Sequence, residues 1–171
     1  DTEGGHYARD KKGRLTGLLE EHAATPLQEN MLDLGIMGFL RMVTYSNNDY
    51  LTAGVTTAQN GAVSLEMAQG LSIAKLLNLT TLRLELWPQF DNFGMSFLDG
   101  TSRAEDYSSG RLNIGAIKII ADGSIQGYTG YLSEPYHKPF HGDAEYRGYP
   151  RVAYPELAEW IKKYHSAGFQ L

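Results

Sequence analysis

The chain has 171 residues, 42% of them hydrophobic and 20% charged, with 15 Lys and Arg against 20 Asp and Glu for a formal charge of −5. That balance belongs to a globular chain long enough to bury its own core, and it excludes disordered and collagen-like classes. No block of Lys or Arg points to a nucleic-acid or anionic-membrane partner, and no apolar run approaches the roughly 20 residues of a membrane helix. Cysteine is absent, which excludes disulfides and thiolate metal sites.

Asp1 to Thr25 is polar and turn-rich, with turn signals at Gly4-Gly5 and Lys12-Gly13. Gly17 to Glu21 is a short apolar patch, either a helical turn or an edge segment. Thr25-Pro26 has the form of a helix start. Met31, Leu32, Ile36, Phe39, Leu40 and Val43 then recur at helical spacing and predict one buried stripe. Gly35 and Gly38 within it cost about 1 kcal/mol each relative to Ala and mark close packing. The predicted helix runs on to Gly54, unless Asn47-Asn48 breaks it.

Val55 to Ala58 reads as a short buried strand. Ser64 caps a second helix with Leu65, Ala68, Ile73 and Leu76 on one face. Leu82, Leu84 and Leu86 alternate with Arg83, Glu85 and Trp87, a strand period. Residues 90–111 form a long functional loop or a short helix plus loop, with Phe90, Phe93 and Phe97 in it. Ile114 to Ala121 is the clearest strand, apolar on both faces except at Lys118, as strands of helix-covered parallel sheets are. A long loop from Asp122 to Tyr149 follows. Pro155 opens a last helix with Leu157, Trp160, Ile161 and Tyr164 on its buried side; Gly168 ends it and Phe169 begins a strand. Such alternation predicts an α/β fold of parallel βα units, with function at the carboxyl ends of the strands. The start at Asp1 and the stop inside a beginning strand lead to the expectation of a single excerpt, residues 1–171, cut at both ends.

Lys118 is the most informative residue. An ammonium in an apolar strand is costly to bury, and a lysine neutralised there becomes nucleophilic. It then serves as a Schiff-base amine, as a base, or as a carbamate that ligates a divalent metal; the bland alternative is a head group that escapes to solvent. Asp122 closes the strand and either ligates, orients a base, or makes a turn with its own backbone. Four residues separate it from Lys118, so both share a face if the strand runs that far. Gly123 to Gly130 matches neither a P-loop nor a dinucleotide fingerprint, and serves as a close-approach loop or as plain turn structure. Ser124, Gln126 and Tyr128 within it are candidate substrate contacts. His137 and His141 flank Pro139, which speaks against a helical metal pair and leaves a loop pair or substrate contacts. The tyrosines 128, 131, 136, 146 and 149 offer flat amphipathic surface for a ligand or an interface.

Several segments resemble one family. Gly4-Gly5-His6-Tyr7-Ala8-Arg9-Asp10 with Gly13 and Thr16-Gly17-Leu18-Leu19, then Gly54-Val55-Thr56-Thr57-Ala58-Gln59-Asn60-Gly61, then Ile117 to Gly127, Tyr131 to Tyr136 and His165 to Leu171 are similar, in order, to the YtcJ-like amidohydrolases. That family is also named for exoenzyme regulatory proteins and N-substituted formamide deformylases. Asn60 stands where the family has Asp. The resemblance implies a partial (β/α)8 barrel, about strands 2 to 5, of a metal-dependent hydrolase that cleaves amide or other non-peptide C–N bonds with a metal-activated water. It implies a divalent metal, commonly zinc, with Lys118, carboxylated, as a ligand, and Asp122 as a catalytic or site-shaping residue. The family's His-x-His pair and its later His and Asp ligands are not in this sequence, so the excerpt is expected to be inactive alone. A small amide-type substrate, a cytoplasmic location and a possible homo-oligomer complete the expectation. The competing class is a non-catalytic ligand-binding or regulatory module of the same fold.

Overall fold

The computed structural model describes residues 5–32 and 34–171. Gly4 of the first turn signal, and the side chains of Met31 and Leu32 in the predicted stripe, lie outside the described residues. The chain divides into two compact units, Asp1–Leu34 with Ile120–Ala153, and Gly35–Ile119 with Tyr154–Leu171.

The first unit opens with strand β1 (Gly5–Arg9) paired antiparallel to β2 (Leu15–Glu21), with a bulge between Tyr7 and Arg9. The expected turn at Lys12-Gly13 is the hairpin tip. The Asp10 carboxylate accepts from the Lys12 amide (2.8 Å), the Arg14 amide (3.0 Å) and Arg14 Nε (2.8 Å). Those bonds hold its pKa below the usual carboxylate value, Arg14 contributing most. The Gly17–Glu21 patch is thus an edge segment. It carries no clean alternation because Leu15 and Leu18 are both exposed. Helix α1 (Thr25–Leu32) follows.

The second unit begins with α2 (Gly35–Thr52), so the single helix expected from Thr25 to Gly54 is two. Gly35 takes a positive φ of 57°, which breaks the helical run at its amino end. The predicted stripe holds at Leu40 and Val43, but Ile36 is 50% exposed. Asn47 does not break the helix. It is buried inside it, and its Oδ1 accepts from Thr81 N (2.8 Å), Thr80 Oγ1 (3.1 Å) and Leu82 N (3.3 Å). The side chain thereby satisfies the backbone that leads into the next strand.

Strand β3 (Thr57–Val63) begins later than the Val55–Ala58 segment predicted. Ser64 caps α3 (Leu65–Leu76) as expected, its Oγ accepting from Met67 N at 3.3 Å. The buried face is Ala68, Leu71 and Ala74, whereas Ile73 and Leu76 are exposed. Polar residues recur three apart along α3, at Glu66, Gln69, Ser72 and Lys75, and so drift around the helix without marking one face; the small residues let neighbours come close, and Gly70 lies against the Phe39 ring of α2. Strand β4 (Arg83–Pro88) pairs parallel to β3 on one side and to β5 (Leu112–Ile114) on the other. Between β4 and β5 lie a short helix α4 (Met95–Leu98) and a 3₁₀ turn (Ala104–Tyr107), so the 90–111 stretch is the helix-plus-loop alternative.

Regular pairing stops at Ile114 rather than at Ala121. Beyond it the ladder is irregular: Gly115 N donates to Leu86 O (2.9 Å) and Lys118 N to Pro88 O (2.8 Å). Pro88 has no N–H to return, and this interrupts the ladder. On its other side Ile117 N donates to Gln170 O (2.8 Å), so the last residues lie along the segment as a further strand would. Helix α5 (Tyr154–Ser166) precedes them. Of its predicted face, Tyr164 is fully buried, Leu157 and Trp160 are half-buried, and Ile161 is exposed. The core of this unit joins Leu40, Val43, Val63, Ala68, Leu71, Ala74, Leu86, Phe93, Leu112 and Ile114. No helix among the described residues is long and apolar enough to cross a membrane.

Two predictions follow from this packing. Asn47→Leu leaves the Thr81 and Leu82 amides without their acceptor and is expected to cost about 1–3 kcal/mol, read as a lower denaturation midpoint. The Tyr164 hydroxyl donates to Phe90 O, and burial pushes its pKa up to about 12. Its folded value lies above the unfolded one of about 10, so its stabilisation is complete below that pH and disappears as pH rises through 12. A spectroscopic phenolate titration is expected to lose its last step, near pH 12, in Tyr164→Phe.

Candidate functional site

The three parallel strands have two chemically different faces. Leu84 and Leu86 of β4 stand beside Leu112 and Ile114 of β5, and the last three of these belong to the core shared with α2 and α3. The alternate residues form polar rows on the other face. Thr57 is in register with Arg83, whose Nε donates to Thr57 Oγ1 at 2.9 Å. Gln59, Glu85 and Asn113 are in register across all three strands, and Asn113 Nδ2 donates to Glu85 Oε2 at 2.7 Å. Trp87 and Gly115 come next toward the carboxyl end. Above them Gln89 and Lys118 form an isolated parallel bridge, with Phe90 N donating to Lys118 O at 3.0 Å.

Lys118 is half-buried and stands where β4 gives way to its loop, the end at which parallel α/β sheets carry their chemistry. The period-two argument that put Lys118 and Asp122 on one face does not survive. Regular strand ends at Ile114, and Asp122 instead makes an antiparallel bridge with Pro150. The sequence reading did not single out Glu85, Trp87, Asn113 and Gly115. The polar half of the 82–87 alternation signals Glu85 and Trp87; Asn113 and Gly115 lie outside it.

The loop that holds the other candidates is in the first unit. Asp122 Oδ2 accepts from Tyr131 N at 2.9 Å. Ser124 N donates to Thr129 Oγ1 (2.9 Å), and Ser124 Oγ accepts from Gly127 N (3.1 Å). Ser124 O accepts from both Thr129 N and Gly130 N at 3.1 Å. This stretch is thus a hydrogen-bonded turn, with Ser124 and Gln126 exposed on it. A Cβ on Gly123 would lie 2.1 Å from Thr129 Oγ1, so the tightness of the turn demands glycine there.

The tyrosine-rich run supplies this unit with a core. The Tyr128 ring lies 4.8 Å from Tyr136 and 4.9 Å from Phe140, and Tyr146 packs on both of those at 6.0 and 4.9 Å. Tyr136 is buried, and its hydroxyl donates to Gly130 O at 2.8 Å. Desolvation is the main cause that raises the Tyr146 pKa. His141 is exposed with its ring against Phe140 at 4.2 Å, and His137 is exposed nearby in sequence. Among the described residues no three His, Cys, Asp or Glu side chains group so as to hold a metal ion, so by themselves they do not fit one.

Gly148 has φ of 77°, and a Cβ there would lie 2.0 Å from Gly130 O. Gly148→Ala is therefore expected to cost at least about 1–3 kcal/mol and to open the 122–150 loop to limited proteolysis before the rest of the chain.

The family model described as Amidohydrolase family matches residues 1–171. A search of curated proteins found no match. Among solved structures, an uncharacterized metal-dependent hydrolase from Pyrococcus horikoshii OT3 superposes with a TM-score of 0.68 at 20% identity, covering 94% of this chain and 32% of that one. One from Pyrococcus furiosus gives 0.68 at 19% identity, covering 94% and 33%. The likeness is one of fold, and this chain spans about a third of the length of those two proteins.

Proposed function

The chain belongs to the amidohydrolase family, and we propose that it forms part of a metal-dependent, YtcJ-like hydrolase of (β/α)8-barrel architecture that acts on amide or other non-peptide C–N bonds. The observation that carries the reading is Lys118 at the carboxyl end of parallel strands, fixed by backbone bonds to Pro88 and Phe90. A neutral lysine amine adds to carbon dioxide with loss of a proton, forming an N–C bond and an anionic oxygen suited to a divalent ion such as zinc. The described residues assemble no ion site alone. The reading therefore assigns the remaining ligands, and the activity itself, to the whole protein. Asp122 organises the loop after this strand through Tyr131, and Ser124, Gln126, Tyr128, His137 and His141 are its candidate substrate contacts. The substrate class is a small amide, and the location expected for such an enzyme is cytoplasmic.

Metal analysis and intact mass of the whole protein in bicarbonate test this. Near-stoichiometric metal, together with an added mass of one carbon dioxide that Lys118→Ala abolishes, is the expected result. Metal affinity in that variant should fall by more than about tenfold. A folded whole protein that binds no divalent metal would return the chain to a non-catalytic ligand-binding or regulatory role.

A further inference from the structure

Helix α2 leaves space against the sheet. Between it, the first turns of α3 and strands β3 and β4 lies a cavity of about 370 Å³. It is on the helix side of the sheet, since Asn60 in its wall stands in register with Leu86 of the core. It is thus separate from the pair of Glu85 and Asn113 on the other face. Phe39, Val43, Met67 and Leu84 supply apolar wall, and Leu84 is left half-buried beneath it. None of the 16 described residues that line the cavity carries a charge. Two of them have side-chain amides whose N–H groups meet weak acceptors. Asn60 Oδ1 accepts from Ala62 N at 3.3 Å, which leaves Nδ2 to the Met67 thioether at 2.9 Å, a poor acceptor. Asn47 Oδ1 is taken up by Thr80, Thr81 and Leu82, and its Nδ2 has Asn48 Oδ1 at 3.4 Å.

Uncharged walls disfavour an ionic occupant, because a charge left unpaired in them keeps its desolvation cost. Apolar walls with amide donors suit an apolar body that carries an accepting oxygen. The volume is roughly two to three times the ~150 Å³ that holds one benzene ring, so it admits two fused rings. The Phe39 ring and the Met67 sulfur both favour aromatic contact. We propose that this cavity binds a neutral aryl ketone of two fused rings, its carbonyl accepting from Asn60 Nδ2 in place of the Met67 sulfur. Asn60 stands where the YtcJ-like sequences that this chain resembles have Asp. A carboxylate there would repel a carbonyl oxygen, so the donor is a feature of this chain's own sequence. The site goes beyond the hydrolase reading and does not depend on it.

The test is calorimetric titration of the whole protein with 2-acetylnaphthalene. It is compared with 2-isopropenylnaphthalene, which has the same shape without the oxygen, and with 2-naphthoate, which carries a charge. One saturable site for the ketone is expected, with affinity about tenfold or more lower for the other two. Asn60→Asp keeps the Oδ1 that accepts from Ala62 N and loses the donor. It is expected to weaken the ketone by a similar factor and to narrow the gap between ketone and hydrocarbon. Ala58→Leu fills the cavity from β3 and is expected to weaken both. Should that variant fail to fold, as read by circular dichroism, Asn60→Asp carries the test. No saturable binding would mean that the rest of the whole protein, or water, fills the cavity. Equal binding of the hydrocarbon would mean that no amide donates to the ligand, and undiminished ketone binding in the folded variants would place the ligand elsewhere; each result overturns the proposal. The readout needs neither metal nor turnover, so loss of the hydrolase reading by metal analysis and loss of this site remain separate results.

Discussion

The second unit depends on a two-bond backbone clasp. Lys118 N donates to Pro88 O, and Lys118 O accepts from Phe90 N. Proline at 88 cannot donate, so the parallel ladder cannot run on through this point as a regular strand. The clasp replaces it and fixes Lys118 beside Gln89. Phe90, held on one side by Lys118, offers its carbonyl to the buried Tyr164 hydroxyl, and its ring meets Trp160 at 5.5 Å. Helix α5 is therefore attached to the same short segment that positions the lysine. Gly94 sits in the same place, where a Cβ would lie 2.9 Å from both Gln89 O and Tyr164 Oη. The position of Lys118 and the docking of the last helix share a single set of contacts.

The sheet above which this happens is polarised across its thickness. Leucine and isoleucine face the helices, while Gln59, Glu85 and Asn113 form a row on the opposite face. Burying apolar area on the helix side stabilises the layer at about 25 cal/mol per Å². The polar row cannot contribute in that way. A parallel strand buried on both faces normally reads as a continuous apolar run, and β4 departs from that with Arg83 and Glu85. Such a departure has a local cost that hydrogen bonds such as Asn113 to Glu85 offset in part. Polar groups retained on a sheet face toward its carboxyl end are what a ligand-bearing surface requires.

The first unit follows a different logic. Its loop holds few aliphatic residues, and its interior is made of rings: Tyr128, Tyr136, Phe140 and Tyr146 stack on one another. The tyrosines that read as a ligand surface in the sequence are in good part this interior. The glycines between them are close-approach positions, since Gly123 and Gly148 each have backbone or side-chain oxygen where a Cβ would be. The loop's internal hydrogen bonds hold the Ser124 turn in place, and Ser124, Gln126, His137 and His141 are among its exposed residues.

The sequence by itself determined the alternation of helices and strands from α2 onward, the Ser64 cap, a turn at Lys12-Gly13, though not the β1–β2 hairpin it closes, and the end of α5 near Gly168. It also singled out Lys118, because a cation in an apolar run is a local anomaly of composition. These are short-range properties, set by spacing and by the conformational preferences of single residues. Tertiary structure alone decided which face of α3 is buried, since its polar residues, Glu66, Gln69, Ser72 and Lys75, recur every three positions and drift around the helix without marking one face. It decided that Asn47 braces β4 instead of breaking α2, because the acceptor it supplies serves residues more than thirty positions away. It decided that the strand through Lys118 stops at Ile114, because the interruption comes from Pro88 on the neighbouring strand. And it brought Asn47 of α2 and Asn60 of β3 to the wall of one cavity, a juxtaposition that exists only once the helix packs on the sheet.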